Sequence, residues 1–312
     1  MSTLPQRPPH ALVHLFPQFL GRRRRGFPGL TPILDELGMP RPLYFMLAQS
    51  AQMPPAGATT ADLRPGTPYA TRDSHLPLLA GGIARDLLVC DEQGRYRPSE
   101  QGWALLARVE GETTAWLSRQ VPLPAPELNH LASEFGALAA GLPRAGEATE
   151  AHIHRWGRMA ALAPQLAGAP LVRLERALMD LWMARNDAHI AAWDMARFYG
   201  PHLDVLTRLW RGDAEDLAGL QALMAATQDA ETVAAIVEEL TEQGYLEIRQ
   251  GVLQPTRAGY NVREEIESNT DELYFAQWPH LDGETIAWLH DTLGRLIAAL
   301  PSAPVVVGDG TS

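Results

Sequence analysis

SHLPLLAGGIARDLLVCDEQGRYRPSEQGWALL, residues 74–106, and ETVAAIVEELTEQGYLEIRQGVLQPTRAGYNVR, residues 231–263, lie 157 positions apart and align without a gap. Leu76, Leu79 and Ile83 fall on Val233, Ile236 and Leu240, the i, i+3, i+7 spacing of one helix face. Leu88-Val89 falls on Tyr245-Leu246 as a first strand, and Gly94 on Gly251 at the tip of a turn. Pro98-Ser99 falls on Pro255-Thr256 and Gly102-Trp103 on Gly259-Tyr260. Apolar matches alone are cheap. A turn glycine, a Pro-[Ser/Thr] pair and a Gly-aromatic pair held in one register are much harder to obtain by chance. Each segment reads as helix, short strand, tight turn, short strand, helix. Ser99 and Thr256 are placed to accept from the free N–H groups of the helix that follows.

That order is the second half of a winged helix-turn-helix. Both segments resemble MarR-type regulators, whose wing ends in a Thr-x-x-Gly step; here the step reads Ser99-Glu100-Gln101-Gly102 and Thr256-Arg257-Ala258-Gly259. With the upstream helices the resemblance covers roughly 75 residues in each copy. A second resemblance lies in Arg185-Asn186-Asp187-Ala188-His189-Ile190-Ala191-Ala192-Trp193 together with Ile266-Glu267-Ser268-Asn269-Thr270-Asp271-Glu272-Leu273. These are similar to an actinobacterial family described only as helix-turn-helix-like, which pairs an Arg-x-Asp-x-His helix with a degenerate winged helix and implies no established activity.

The expected fold is mainly α with small β-wings, two winged-helix units joined by a helical segment. Pro/Gly-rich stretches at 53–70, 121–129 and 141–150 mark the loops. We expect an N-terminal arm over 1–30, a first winged-helix unit over 31–108 and a helical connecting region over 109–200. A second, diverged unit should follow over 201–281, then a C-terminal helix over 282–301 and a flexible tail over 302–312. Residues 171–200 carry helical spacing and run to Gly200-Pro201, read as a stop; 282–300 should open on Asp282 and close before Pro301. One chain with two such units can imitate the twofold dimer of single-unit regulators as a monomeric pseudo-dimer, or hold its copies far apart; the sequence leaves the oligomeric state open.

All 26 basic residues are arginine, as a GC-rich coding sequence produces, and the formal net charge is −11. The charge is uneven. Residues 1–108 hold 12 Arg against 8 Asp+Glu, and the rest 14 against 29, so a nucleic acid would meet the first third. Double-stranded DNA is the expected partner. Its contacts are assigned to Arg64, Arg72, Ser74, His75 and Arg85 around the recognition helix, and to Arg95 and Arg97 on the wing. Arg22, Arg23, Arg24 and Arg25 are candidates for an arm along a groove. The second recognition helix carries Asp229, Glu231, Glu238, Glu239 and Glu242 with no arginine, and five carboxylates beside phosphates are unfavourable. The second unit is therefore expected to be structural or dimer-forming.

Chemistry has little support. The sequence holds no GxSxG, Walker A, GxGxxG or kinase pattern, and no HExxH or CxxC metal signature. His152 and His154, two apart, point in different directions on a helix; no metal, cofactor or catalytic residue is expected. Arg185 and His189 share a helix face at i, i+4, with Asp187 between them, and form a candidate site for a small-molecule effector. Trp182, Trp193, Phe198 and Tyr199 nearby read as core. Cys90 is the single cysteine, so no intrachain disulfide forms; with no signal pattern and no apolar run near ~20 residues, a cytoplasmic protein without a membrane span is expected. A ligand-sensing or protein-interaction module is the alternative to a DNA-binding regulator.

Overall fold

The computed structural model describes residues 9–63, 69, 75–142, 162, 164, 167–225 and 227–301. His152, His154 and the tail 302–312 lie outside them. The fold is mainly helical with two small antiparallel hairpins. In chain order come α1 (His10–Val13), α2 (Leu15–Gly26), α3 (Leu30–Glu36), α4 (Arg41–Gln52), α5 (Thr60–Leu63), α6 (Leu76–Ala84), β1 (Leu88–Cys90), β2 (Tyr96–Pro98), α7 (Glu100–Ser118) and α8 (Ala125–Ala140). Then follow α9 (Pro170–Met195), α10 (Gly200–Arg211), α11 (Leu217–Met224), α12 (Ala230–Glu242), β3 (Leu246–Arg249), β4 (Val252–Pro255), α13 (Arg257–Phe275) and α14 (Gly283–Ala299). Among the described residues no helix is long and apolar enough to cross a membrane.

The chain divides into two compact units, each assembled from separated segments. The first unit takes residues 1–44, 103–183 and 278–312. It is helical, with Phe16 packed edge-to-face on Phe135 at 5.7 Å and Leu289, Leu293 and Leu296 of α14 fully buried. Asp282 caps α14 by accepting from the Thr285 N–H at 2.7 Å, as expected, and the helix closes before Pro301. Arg22 Nε donates to Leu300 O at 3.1 Å.

The second unit takes residues 45–102 and 184–277 and contains both hairpins. The two hairpin segments repeat one set of hydrogen bonds. Leu87 N donates to Gly82 O and Tyr245 N to Leu240 O; Ser99 N donates to Leu87 O and Thr256 N to Tyr245 O. Ser99 Oγ and Thr256 Oγ1 cap the next helix by accepting from Gly102 N at 3.0 Å and Gly259 N at 3.2 Å. A third strand position joins each hairpin: Ala58 bridges Tyr96, and Leu253 N donates to Glu215 O.

The correspondence is not gapless. Up to the first strand it runs at 158, with Gly82 matching Leu240 and Leu87 matching Tyr245; from Pro98 and Pro255 onward it runs at 157. The turn accounts for the difference. Cys90 pairs with Tyr96 and Asp91 N donates to Arg95 O, closing the three-residue loop Glu92-Gln93-Gly94, with Gly94 at φ +71°. Arg249 pairs with Val252 across two residues, Gln250 and Gly251, both left-handed at φ 55° and 83°. That is the type I′ turn against the three-residue loop with a left-handed third residue. The one-residue slip rotates the expected face of α6. Leu76 and Ile83 are exposed, while His75, Leu79 and Gly82 are buried; on α12 the expected Val233, Ile236 and Leu240 are the core.

The helix expected over 171–200 ends at Met195. Arg197 takes the left-handed conformation (φ 55°) and Phe198 N donates to Trp193 O at 2.9 Å, a Schellman-type stop. Gly200-Pro201 instead opens α10, where proline's fixed φ and missing N–H fit the first turn.

Candidate nucleic-acid interface

Arg97 is the middle residue of β2, and Arg95 immediately precedes that strand at the end of the turn. Arg95 and Arg97 are exposed, as is Arg85 just past the end of α6. Among the described residues none of the three forms an ion pair. In the turn Asp91 Oδ1 accepts from Gln93 N at 3.0 Å and Arg95 N at 2.8 Å. The other assigned contacts fall elsewhere. Arg64, Arg72 and Ser74 lie outside the described residues. His75 is 2% exposed, so its ring turns inward. Arg22 to Arg25 lie within α2 of the first unit. There Arg22 is held by the Leu300 carbonyl and Arg23 is paired with Glu175.

The solvent side of α6 carries Leu76, Pro77, Ala80, Ile83 and Ala84, none with a hydrogen-bonding side chain. The matching helix α12 exposes Glu231, Glu238, Glu239 and Glu242. Asp229 caps α12 by accepting from Thr232 N, and those hydrogen bonds hold its carboxyl below the usual range. Glu239 Oε2 sits 2.7 Å from His202 Nε2 of α10.

Arg185, Asp187 and His189 lie on α9, and the second unit builds a polar cluster around the first and last of them. Arg185 Nη2 donates to Glu267 Oε2 at 2.9 Å and reaches Asp271 Oδ1 at 3.5 Å. Thr270 Oγ1 donates to Ile266 O at 2.7 Å, so its lone pair faces His189 Nδ1 at 2.8 Å. His189 Nδ1 therefore carries the proton and donates, and in the neutral ring Nε2 is left unprotonated. Burial holds His189 down to about 4; Arg263, Arg185 and Arg211 push the same way and Glu267 opposes them. For Glu267 burial acts to raise the pKa, but Arg263, Arg185 and His189 together bring it to about 2. Tyr69 packs 5.5 Å from Trp193, edge to face, and burial pushes its hydroxyl up to about 12. Trp193 and Phe198 are core, as read from the sequence, whereas Tyr199 is 40% exposed.

The sequence reading did not single out Arg263 or Thr207. Arg263 of α13 is only 3% exposed. Its Nε donates to Thr207 Oγ1 at 2.8 Å, and its Nη2 lies 2.7 Å from Glu267 Oε1. Its guanidinium also sits over the Trp210 ring, 5.1 Å from the centroid. The i, i+4 spacing of Arg263 and Glu267 is visible in the sequence, but reads as a surface pair. Among the described residues no group of His, Cys, Asp and Glu is arranged to hold a metal ion.

A family model described as a helix-turn-helix family matches residues 104–307. Neither the curated proteins nor the solved structures gave a match.

Proposed function

The chain belongs to the helix-turn-helix family, and from that premise we propose that it is a DNA-binding regulator carrying two diverged winged helices of MarR type. The first contacts duplex DNA; the second is structural. The observation that carries this reading is the trio Arg85, Arg95 and Arg97, exposed and without an ion pair among the described residues. Cations on a wing meet phosphates, and released counterions supply the affinity. The family match covers the second winged helix, whose α12 presents carboxylates and would be repelled by a groove. The shared hydrogen-bond pattern of the hairpins supports common descent of the two copies, and one chain then supplies what a dimer of single-unit regulators supplies with two.

The apolar solvent side of α6 gives the DNA reading a definite character. Base edges are read by hydrogen-bonding side chains, and the described part of α6 offers none. Binding should be directed at the backbone and tolerant of sequence. The same surface favours a second reading, a protein-interaction module whose partner covers Leu76 and Ile83.

Fluorescence anisotropy against random-sequence duplex DNA at low and moderate salt separates the two. The DNA reading expects affinity to fall steeply with salt, and Arg95→Ala/Arg97→Ala to reduce the log–log slope by about 2, roughly one per lost phosphate contact. No binding at low salt overturns it and leaves the interaction module. Light scattering after size exclusion should give a monomer; a dimer removes the case for an internal pseudo-dimer.

A further inference from the structure

Tyr69 belongs to the segment that joins α5 to α6, yet its contacts lie in the other copy. Its ring meets Trp193 edge to face at 5.5 Å and stands 6.4 Å from His189, both on α9. Its backbone carbonyl accepts from Gln228 Nε2, in the turn before α12, at 2.8 Å. The side chain packs against the core that includes Ala192, Leu203, Val233 and Leu253, which is that of the second winged helix. The segment is also fixed at both ends. Leu63 closes α5 fully buried, with its carbonyl accepting from Gln49 of α4, and His75, just ahead of α6, is 2% exposed. Tyr69 stands six residues from each. Six extended residues reach at most about 20 Å, so whatever holds Tyr69 limits where α6 can go.

The contact is not fully satisfied. Gln228 is 5% exposed, and its Oε1 is buried with no hydrogen-bond partner among the described residues. Docking Tyr69 engages the amide N–H but strands the amide carbonyl away from water, which is unfavourable. Two ring contacts and one hydrogen bond are thus set against one buried, unfilled acceptor. Such a balance suits a contact that opens while the rest of the fold persists.

We propose that Tyr69 is a releasable tether: docked on α9 and Gln228 of the second winged helix, it sets the position of the first recognition helix, α6, and released, it frees that helix. The second copy, whose carboxylate-lined α12 is unsuited to DNA, thereby has a task, which is to hold the first. The tether rests on the two-copy reading but not on DNA binding, and its test contains no DNA.

Chymotrypsin cleaves after a tyrosine only when the ring enters the protease, so cutting of the Tyr69–Ala70 bond in the full chain, identified by mass, counts opened molecules. In the wild type the cut should be much slower than in a synthetic peptide of residues 64–74. Its rate should depend on urea far less than global unfolding followed by circular dichroism does. Gln228→Ala, which removes one hydrogen bond, should speed the cut about fivefold. Hydrogen exchange supplies the second readout. Tyr69 touches α9 and the turn before α12, so a merely structural loss in Tyr69→Ala would loosen those alone; the tether expects faster exchange across α6 as well. The proposal is overturned if the cut requires global unfolding, if it runs as fast as in the peptide, or if α6 exchanges alike in wild type and Tyr69→Ala. Should Tyr69→Ala fail to fold, Gln228→Ala decides, and unchanged exchange in α6 there refutes the tether.

Discussion

Gly102 and Gly259 each stand in the first turn of the helix that leaves a hairpin, and replacing either with alanine should reverse the usual effect of that change. In an ordinary helical position Gly→Ala stabilises by up to ~1 kcal/mol, because glycine loses more backbone entropy on folding. Here the added Cβ would lie 2.2 Å from Leu87 O at Gly102 and 2.3 Å from Tyr245 O at Gly259. Side-chain atoms are close too, Leu47 at 3.0 Å and Leu206 at 3.2 Å. The facing groups are backbone carbonyls that accept from Ser99 N and Thr256 N, so neither can swing aside without losing a hydrogen bond. Relief requires helix and strand to separate by the better part of an ångström. Overpacking of this kind costs ~1–3 kcal/mol, and loss of the attached hydrogen bond adds ~1 kcal/mol. We expect Gly102→Ala and Gly259→Ala to lower stability by about 2–4 kcal/mol, read from urea unfolding followed by far-UV circular dichroism. Gly111→Ala, Gly136→Ala and Gly294→Ala, helical positions with nothing within 4 Å of the new Cβ, are the controls and should be neutral or stabilising. If the first pair proves as stable as the controls, the close approach of helix to strand is not what fixes these glycines.

Three further outcomes follow from buried titratable groups. Burial raises the Asp180 carboxyl to about 7 against an opposing Arg176, so the folded chain keeps a proton that the unfolded chain has released. The Asp180 contribution to stability should fall as pH rises from about 4 to 7, and Asp180→Asn should gain ~2–4 kcal/mol over wild type at pH 8 but little at pH 4, in parallel urea titrations. His189 stays neutral in the fold down to about 4, so the unfolded chain takes up its proton first. The His189 contribution to stability is full above pH 6.5 and is lost between 6.5 and 4, and that of Glu267 is lost from 4.5 toward 2. An acid-unfolding curve unchanged by His189→Gln would contradict this. Thr270→Val leaves the His189 N–H without its acceptor inside the fold and should cost ~1–3 kcal/mol; a neutral result would mean the ring finds another partner.

The turn chemistry was the most legible part of the sequence. Gly94 and Gly251 do take left-handed backbone, and Ser99 and Thr256 do cap. The caps work because a hydroxyl one residue after an extended strand reaches the N–H three positions on. What periodicity concealed was the inserted residue of the first turn. A helical apolar pattern tolerates a slip of one position with nearly the same score, so Leu76 and Ile83 looked as good as their neighbours although His75 and Gly82 are the ones buried. The candidate cluster was half visible. Arg185 and His189 share a face as their spacing requires, and their partners Glu267, Thr270 and Asp271 stood within a quoted stretch, but nothing in the sequence links the two stretches. Arg263 was invisible as a buried group, because only the tertiary approach of Thr207 and Trp210 distinguishes it from a solvated arginine.

The hydrogen bond from Arg22 to Leu300 spans 278 positions. It bears on how the molecule is made. During synthesis α2 emerges long before α14, whose Leu289, Leu293 and Leu296 fill the same unit. The segments 45–102 and 184–277 of the other unit are complete before then. Contacts of such long range close slowly, since a long loop must be ordered before they form. On the ribosome α2 must therefore wait for α14 to be translated before this part of its packing forms, and chaperone dependence should concentrate in that interval.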